Sequence, residues 1–202
     1  IEDAPLVLKL AGAVVERAPR DRVLARVPFL LPGASRAVVE LLPLGSSPRI
    51  EVLEHGIRLL TLPWLPLRGL ESAGDLALPF RVRVDAPVLP TNASRSALLE
   101  DAPLCRELGP AANEAFKKCL AALIARVTGE APVEGVELVA SEPELVDALE
   151  TLACLAAHAS GQGGQLAGEV RAILDVPLLE RATGGRLPLS GLLALGKVDV
   201  WT

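Results

Sequence analysis

Alternation of apolar and polar side chains is clearest from Phe80 to Asp85, where Phe80, Val82 and Val84 interleave with Arg81, Arg83 and Asp85. That is the period-two pattern of a half-buried strand. Pro87 and Pro90 then deny a continued ladder and hold the backbone extended, while Asn92 and Ser94 can bond their own backbone and favour a turn or a helix start. Ala97-Leu98-Leu99 suits a first helical turn, so Arg95 is expected on a stiff loop at the exit of a strand. A hairpin is predicted where Ile50, Val52 and Leu53 precede His55-Gly56 and Ile57, Leu59, Leu60 and Leu62 follow, the glycine supplying positive φ. Val23 to Leu31 reads as a strand closed by Pro32-Gly33, while Val7 to Val15 alternates weakly and Leu6, Leu8 and Leu10 on one face suggest an opening strand. For 34–42 the spacing predicts a short helix, with Ala34, Val38, Leu41 and Leu42 on one face and Arg36 and Glu40 as an i,i+4 pair.

The period lengthens further on. Phe116, Leu120, Leu123, Ile124 and Val127 fall on one stripe and predict a helix from Ala111 to Val127, beginning after a break at Gly109-Pro110. Thr128 to Gly135, punctuated by Gly and Pro, reads as a linker, dividing a large α/β unit over 1–128 from a connector over 129–202. Ser141-Glu142-Pro143-Glu144 is a capping box that opens another helix, with Leu145, Leu149, Leu152 and Ala156 as its buried stripe. A short helix over 165–174, a turn through Thr183-Gly184-Gly185, a leucine-rich segment and a closing strand from Lys197 to Trp201 complete the pattern.

Composition narrows the function classes. The chain has 202 residues, 50% of them apolar, which is enough for one large or two small cores. Three Phe, two Trp and no Tyr offer few platforms for stacking bases, and a net charge of −5 argues against a nucleic-acid partner. No run approaches the ~20 apolar residues of a membrane-spanning helix. The opening at Ile1 is not signal-like, so a piece of a longer cytoplasmic protein is expected. Cys105, Cys119 and Cys154 form no C-x-x-C and read as reduced thiols, and neither His55 nor His158 has a second metal ligand at suitable spacing. The Gly161–Gly164 run lacks the Lys-Ser/Thr ending of a phosphate-cradling loop. Glu142, Glu144, Asp147 and Glu150 complement a helix dipole rather than form a catalytic pair.

Arg95 is the candidate for chemistry. A guanidinium on a self-bonded loop can meet an anion with little further ordering, and the plainer alternative is that it caps a helix or pairs with a nearby carboxylate. Lys117 and Lys118 read as solvated helix lysines, His55 as a turn residue and Trp64 as a packing plug.

The run VRVDAPVLPTNASRSALLED, followed by AFKKCLAALIA, resembles the middle domain of the ninety-kilodalton heat-shock chaperones, the HtpG-like branch of the GHKL ATPases. The features that carry the likeness are Asp85, Leu89-Pro90, Asn92-Ala93-Ser94-Arg95 and Lys117-Lys118-Cys119-Leu120. The tail from Thr183 onward resembles more loosely that family's step into a smaller α/β unit. The resemblance implies a three-layer α-β-α sandwich of the ribosomal-protein-S-five-domain-two-like type, followed by a small, mostly helical subdomain. It implies that Arg95 contacts the terminal phosphate of ATP, with Asn92 and Ser94 supporting its loop. The ATP and magnesium would be bound by an upstream domain of the same protein, and client proteins and a second copy would be the other partners. The family usually has Glu after the arginine and Gln three residues later, where this chain has Ser96 and Leu99. Two alternatives stay open: a non-catalytic interaction module of the same fold, and the transducer domain of a DNA-processing GHKL ATPase.

Overall fold

The computed structural model describes residues 9–10, 13–14, 22–43, 45–63, 79–99, 101–161, 168–180 and 184–194. The architecture is mixed α/β. The strands are β1 (Lys9–Leu10), β2 (Ala13–Val14), β3 (Ala25–Phe29), β4 (Arg36–Leu41), β5 (Arg49–Glu54), β6 (Ile57–Pro63), β7 (Phe80–Ala86), β8 (Glu137–Leu138), β9 (Pro177–Glu180) and β10 (Arg186–Pro188). The helices are α1 (Pro103–Thr128), α2 (Glu142–Gly161), α3 (Gly168–Leu174) and α4 (Leu189–Ala194).

Six strands form one sheet in the order β6-β5-β7-β4-β3-β8, with β5 and β7 parallel and every other neighbour antiparallel. One face is apolar throughout. Ala25 and Val27, Ala37, Val39 and Leu41, Ile50 and Val52, and Phe80, Val82 and Val84 stand in register across four strands and are buried. α1 lies on this face against β3 and β4, and Phe116 meets Phe80 edge to face with ring centroids 4.2 Å apart. α2 and α3 pack on α1 and extend the same core through Leu145, Leu149 and Ile173.

The expected strands at Phe80, at Val23–Leu31 and around the His55-Gly56 turn all form. His55 and Gly56 take φ of 51° and 79°, the positive pair that a two-residue hairpin turn demands, and a bulge between Val52 and Leu53 lets β6 carry one extra residue. At the Ser141 cap the Glu144 side chain reaches back as expected: the Ser141 N–H and hydroxyl both donate to Glu144 Oε2, at 2.9 and 2.7 Å.

Four expectations need correction. Residues 34–42 form no helix: Arg36–Leu41 is the strand β4, because alternate side chains bury on one face and the backbone pairs with both β3 and β7. Arg36 and Glu40 therefore share a sheet face, not a helical turn. Gly109-Pro110 does not break the chain. Pro110 sits inside α1, costing one intrahelical bond, while Leu104 and Leu108 before it and Ala112 and Phe116 after it bury on one stripe and keep the axis continuous. Ala97–Leu99 is not a first helical turn, since Thr91 bridges Leu98 and the Leu99 N–H donates to the Pro90 carbonyl at 2.7 Å. The opening strand is a pair of two-residue strands, β1 and β2, hydrogen-bonded to each other. Trp64 and the closing strand at 197–201 lie outside the described residues. The expected boundary after residue 128 falls between α1 and β8, and β8 joins the edge of the large sheet beside β3.

Candidate functional site

The loop that leaves β7 is built by one side chain. Asn92 Oδ1 accepts from the Ser96 N–H at 2.9 Å, the Ala97 N–H at 3.3 Å and the Ser94 hydroxyl at 3.2 Å. Its Nδ2 donates to Ser96 Oγ at 3.0 Å, and its carbonyl receives the Arg95 N–H at 2.9 Å. The Asn92 N–H itself donates to the Ala97 carbonyl, closing a tight ring of backbone around residues 93–96. Ser94 and Ser96 hydroxyls meet at 2.8 Å inside it. At the apex Arg95 has a φ of 55°, a left-handed conformation that only a well-determined loop imposes on a residue with a Cβ.

The Arg95 side chain projects from this apex and is 66% exposed. Its Nη1 donates to Glu54 Oε2 at 3.1 Å. Glu54 is the last residue of β5, brought alongside by the parallel pairing of β5 with β7. The turn that follows it is tied down, because the Gly56 N–H donates to Asp85 Oδ1 at 3.0 Å. The Asp85 carbonyl in turn accepts from the Ser35 N–H at 2.8 Å and the Ser35 hydroxyl at 2.9 Å. Two turns at one end of the sheet are thus bound to a single residue of the strand that leads to the Arg95 loop. Asn92, Ser94 and Arg95 are brought together as the sequence suggests, and the plainer expectation of a carboxylate partner is met as well. Glu54 and Asp85 are the residues that sequence reasoning did not assign to the site. Their signal is the hairpin and the β7 strand read together, which requires knowing that those two strands are neighbours.

Lys117 is bonded to Glu114 at 3.0 Å and Lys118 is exposed on α1. His55 is an exposed turn residue. Among the described residues no three His, Cys, Asp or Glu side chains gather as metal ligands, and no helix is long and apolar enough to cross a membrane.

The sheet face away from α1 carries a second charged system. Glu137, Arg26, Glu40, Arg81, Glu51 and Arg58, one from each strand in spatial order, form a row of alternating sign with successive contacts of 3.8, 3.2, 2.6, 3.6 and 3.5 Å. Glu40, Glu51 and Arg81 are 2, 4 and 7% exposed. Burial alone would push the Glu51 carboxyl up, but the hydrogen bond from Arg49 and the charges of Arg81, Arg49 and Arg83 outweigh it and hold the group below its ordinary value. Each charge in this row is matched by its neighbours, so the row braces the sheet that carries the loop.

No protein-family model matches the chain, and no curated protein shows significant similarity to it.

Proposed function

We propose that this chain is the middle segment of an HtpG-like, ATP-dependent molecular chaperone, in which Arg95 reaches the terminal phosphate of ATP held with magnesium by an N-terminal GHKL domain. The observation that carries the reading is the Arg95 loop: a guanidinium held at the exit of a central strand by an internally bonded turn, and directed outward. A charge placed in advance of the anion it meets costs little reorganisation when the anion arrives. In arginine-finger systems such a charge is worth on the order of a thousandfold in rate or more. The run from Asp85 to Arg95, and the Lys117-Lys118-Cys119-Leu120 segment on the helix that packs behind the sheet, add the sequence likeness.

On this reading residues 1–128, with five of the six strands of the mixed sheet, belong to a three-layer α-β-α sandwich of the ribosomal-protein-S-five-domain-two-like type, and β8 joins its edge from the following unit. Residues 129–202 form a helical connector and the start of a smaller α/β unit. The complete protein works as a homodimer in the cytoplasm on client proteins. Hydrolysis belongs to the assembled protein. The Gly161–Gly164 run lacks the Lys-Ser/Thr ending of a phosphate-cradling loop.

A second reading, a non-catalytic interaction module of the same fold, draws on the partial neutralisation of Arg95 by Glu54 and on Leu99, which is 50% exposed where the family carries a polar residue. Hydrogen exchange on the complete protein separates the two. A non-hydrolysable ATP analogue should slow exchange of the 90–99 amides if Arg95 closes on nucleotide, and exchange indifferent to nucleotide would favour the module.

A further inference from the structure

Arg95 spends one nitrogen on its own domain. Nη1 donates to Glu54, while among the described residues Nε and Nη2 have no partner. Those two nitrogens form the edge of the guanidinium whose parallel N–H groups match two oxygens of a phosphoryl group. The bond through Nη1 draws the group toward Glu54 and, among the described residues, leaves that edge open.

The carboxylate itself is anchored. The Glu54 side chain is 19% exposed, and it precedes the turn that Gly56 fastens to Asp85. Asp85 is also the next-to-last residue of β7, the strand that leads to the Arg95 loop, and it holds Ser35 from the neighbouring hairpin. The carboxylate is thus mounted on the end of β5, and the bonded loop that carries Arg95 leaves the end of its parallel neighbour β7.

We infer that Glu54 is the positioning residue of Arg95, orienting the guanidinium so that its Nε–Nη2 edge takes two oxygens of the terminal phosphoryl group of a nucleoside triphosphate. The inference rests on the function proposed above. It has a physical rival, in which Glu54 competes with the phosphate and holds Arg95 back. The two accounts assign opposite signs to the loss of Glu54.

The test compares ATP turnover of the complete protein with its Glu54→Ala, Glu54→Gln, Arg95→Ala and Glu54→Ala/Arg95→Ala variants, alongside thermal unfolding. Positioning predicts that Glu54→Ala lowers kcat about tenfold, because small misplacements of an oriented group cost this much or more, with KM for ATP within about twofold. Glu54→Gln, which keeps a hydrogen-bond acceptor, should recover part of the loss. The double variant should be no slower than Arg95→Ala alone, since Glu54 acts through Arg95. A Glu54→Ala protein that turns over as fast as the unaltered one, or faster, overturns the positioning role even if Arg95→Ala is impaired. Should Arg95→Ala itself run at the unaltered rate, the proposed function falls and the role of Glu54 falls with it.

Discussion

Arg81 directs both Nε and Nη2 at one oxygen of Glu40, at 2.7 and 2.6 Å, across the pairing of β7 with β4. Both residues are more than nine-tenths buried. A buried pair of this kind costs its desolvation, which the contact offsets, so its worth shows when one partner is removed. Arg81→Met should destabilise the fold by about 3–5 kcal/mol, because among the described residues Glu40 then keeps a charge with only Arg26 to meet it. Arg81→Met with Glu40→Leu should recover most of that loss. Urea unfolding of the two variants checks the contrast.

Glu51 sets the acid response of the same face. Its folded-state carboxyl is held below the ordinary 4.5, so its ionised form contributes stability that is complete above the unfolded value and is lost as pH falls through the folded one. The urea midpoint should therefore drop on acidification below about pH 4.5. Glu51→Gln should be less stable near neutral pH and should lose part of this acid slope, as a titration of midpoint against pH would show.

Asn92 is the test of how the loop is made. Asn92→Ala removes an acceptor shared by two backbone N–H groups and a hydroxyl. The expected cost is about 1–2 kcal/mol, by analogy with loss of a side-chain cap. Hydrogen exchange should quicken at Ser96 and Ala97 and leave α1 unchanged, whereas loss of protection throughout would mean that the loop is part of the core.

The cysteines give a prediction independent of function. Cys119 is fully buried on α1, and burial pushes its thiol up to about 12, while Cys154 is exposed on α2. A thiol reagent near pH 8 should modify Cys154 in the folded protein and reach Cys119 only on unfolding, since the thiolate is the reactive form. Mass spectrometry of peptides labelled with and without urea decides it.

What could be read in the sequence divides by range. The β7 alternation, the His55-Gly56 hairpin, the Ser141 cap and the self-bonding of Asn92 and Ser94 are local chemistry, and the structure contains each of them. β4 was ambiguous because Ala34, Val38, Leu41 and Leu42 satisfy a helical period while Ala37, Val39 and Leu41 satisfy a strand period. Pairing with β3 and β7 decided the matter, and that lies outside the segment. Pro110 carried a genuine local signal that burial of the flanking stripe overrode. Glu54 and Arg95 are 41 positions apart and meet only because β5 and β7 run parallel, a relation that no local pattern in either segment encodes.

The most direct measurement is the rate of ATP hydrolysis by the complete protein with Arg95→Ala, set beside its nucleotide affinity. A guanidinium that serves the terminal phosphate should leave affinity nearly intact while kcat falls by at least about tenfold. Equal kcat in the two proteins would contradict the account.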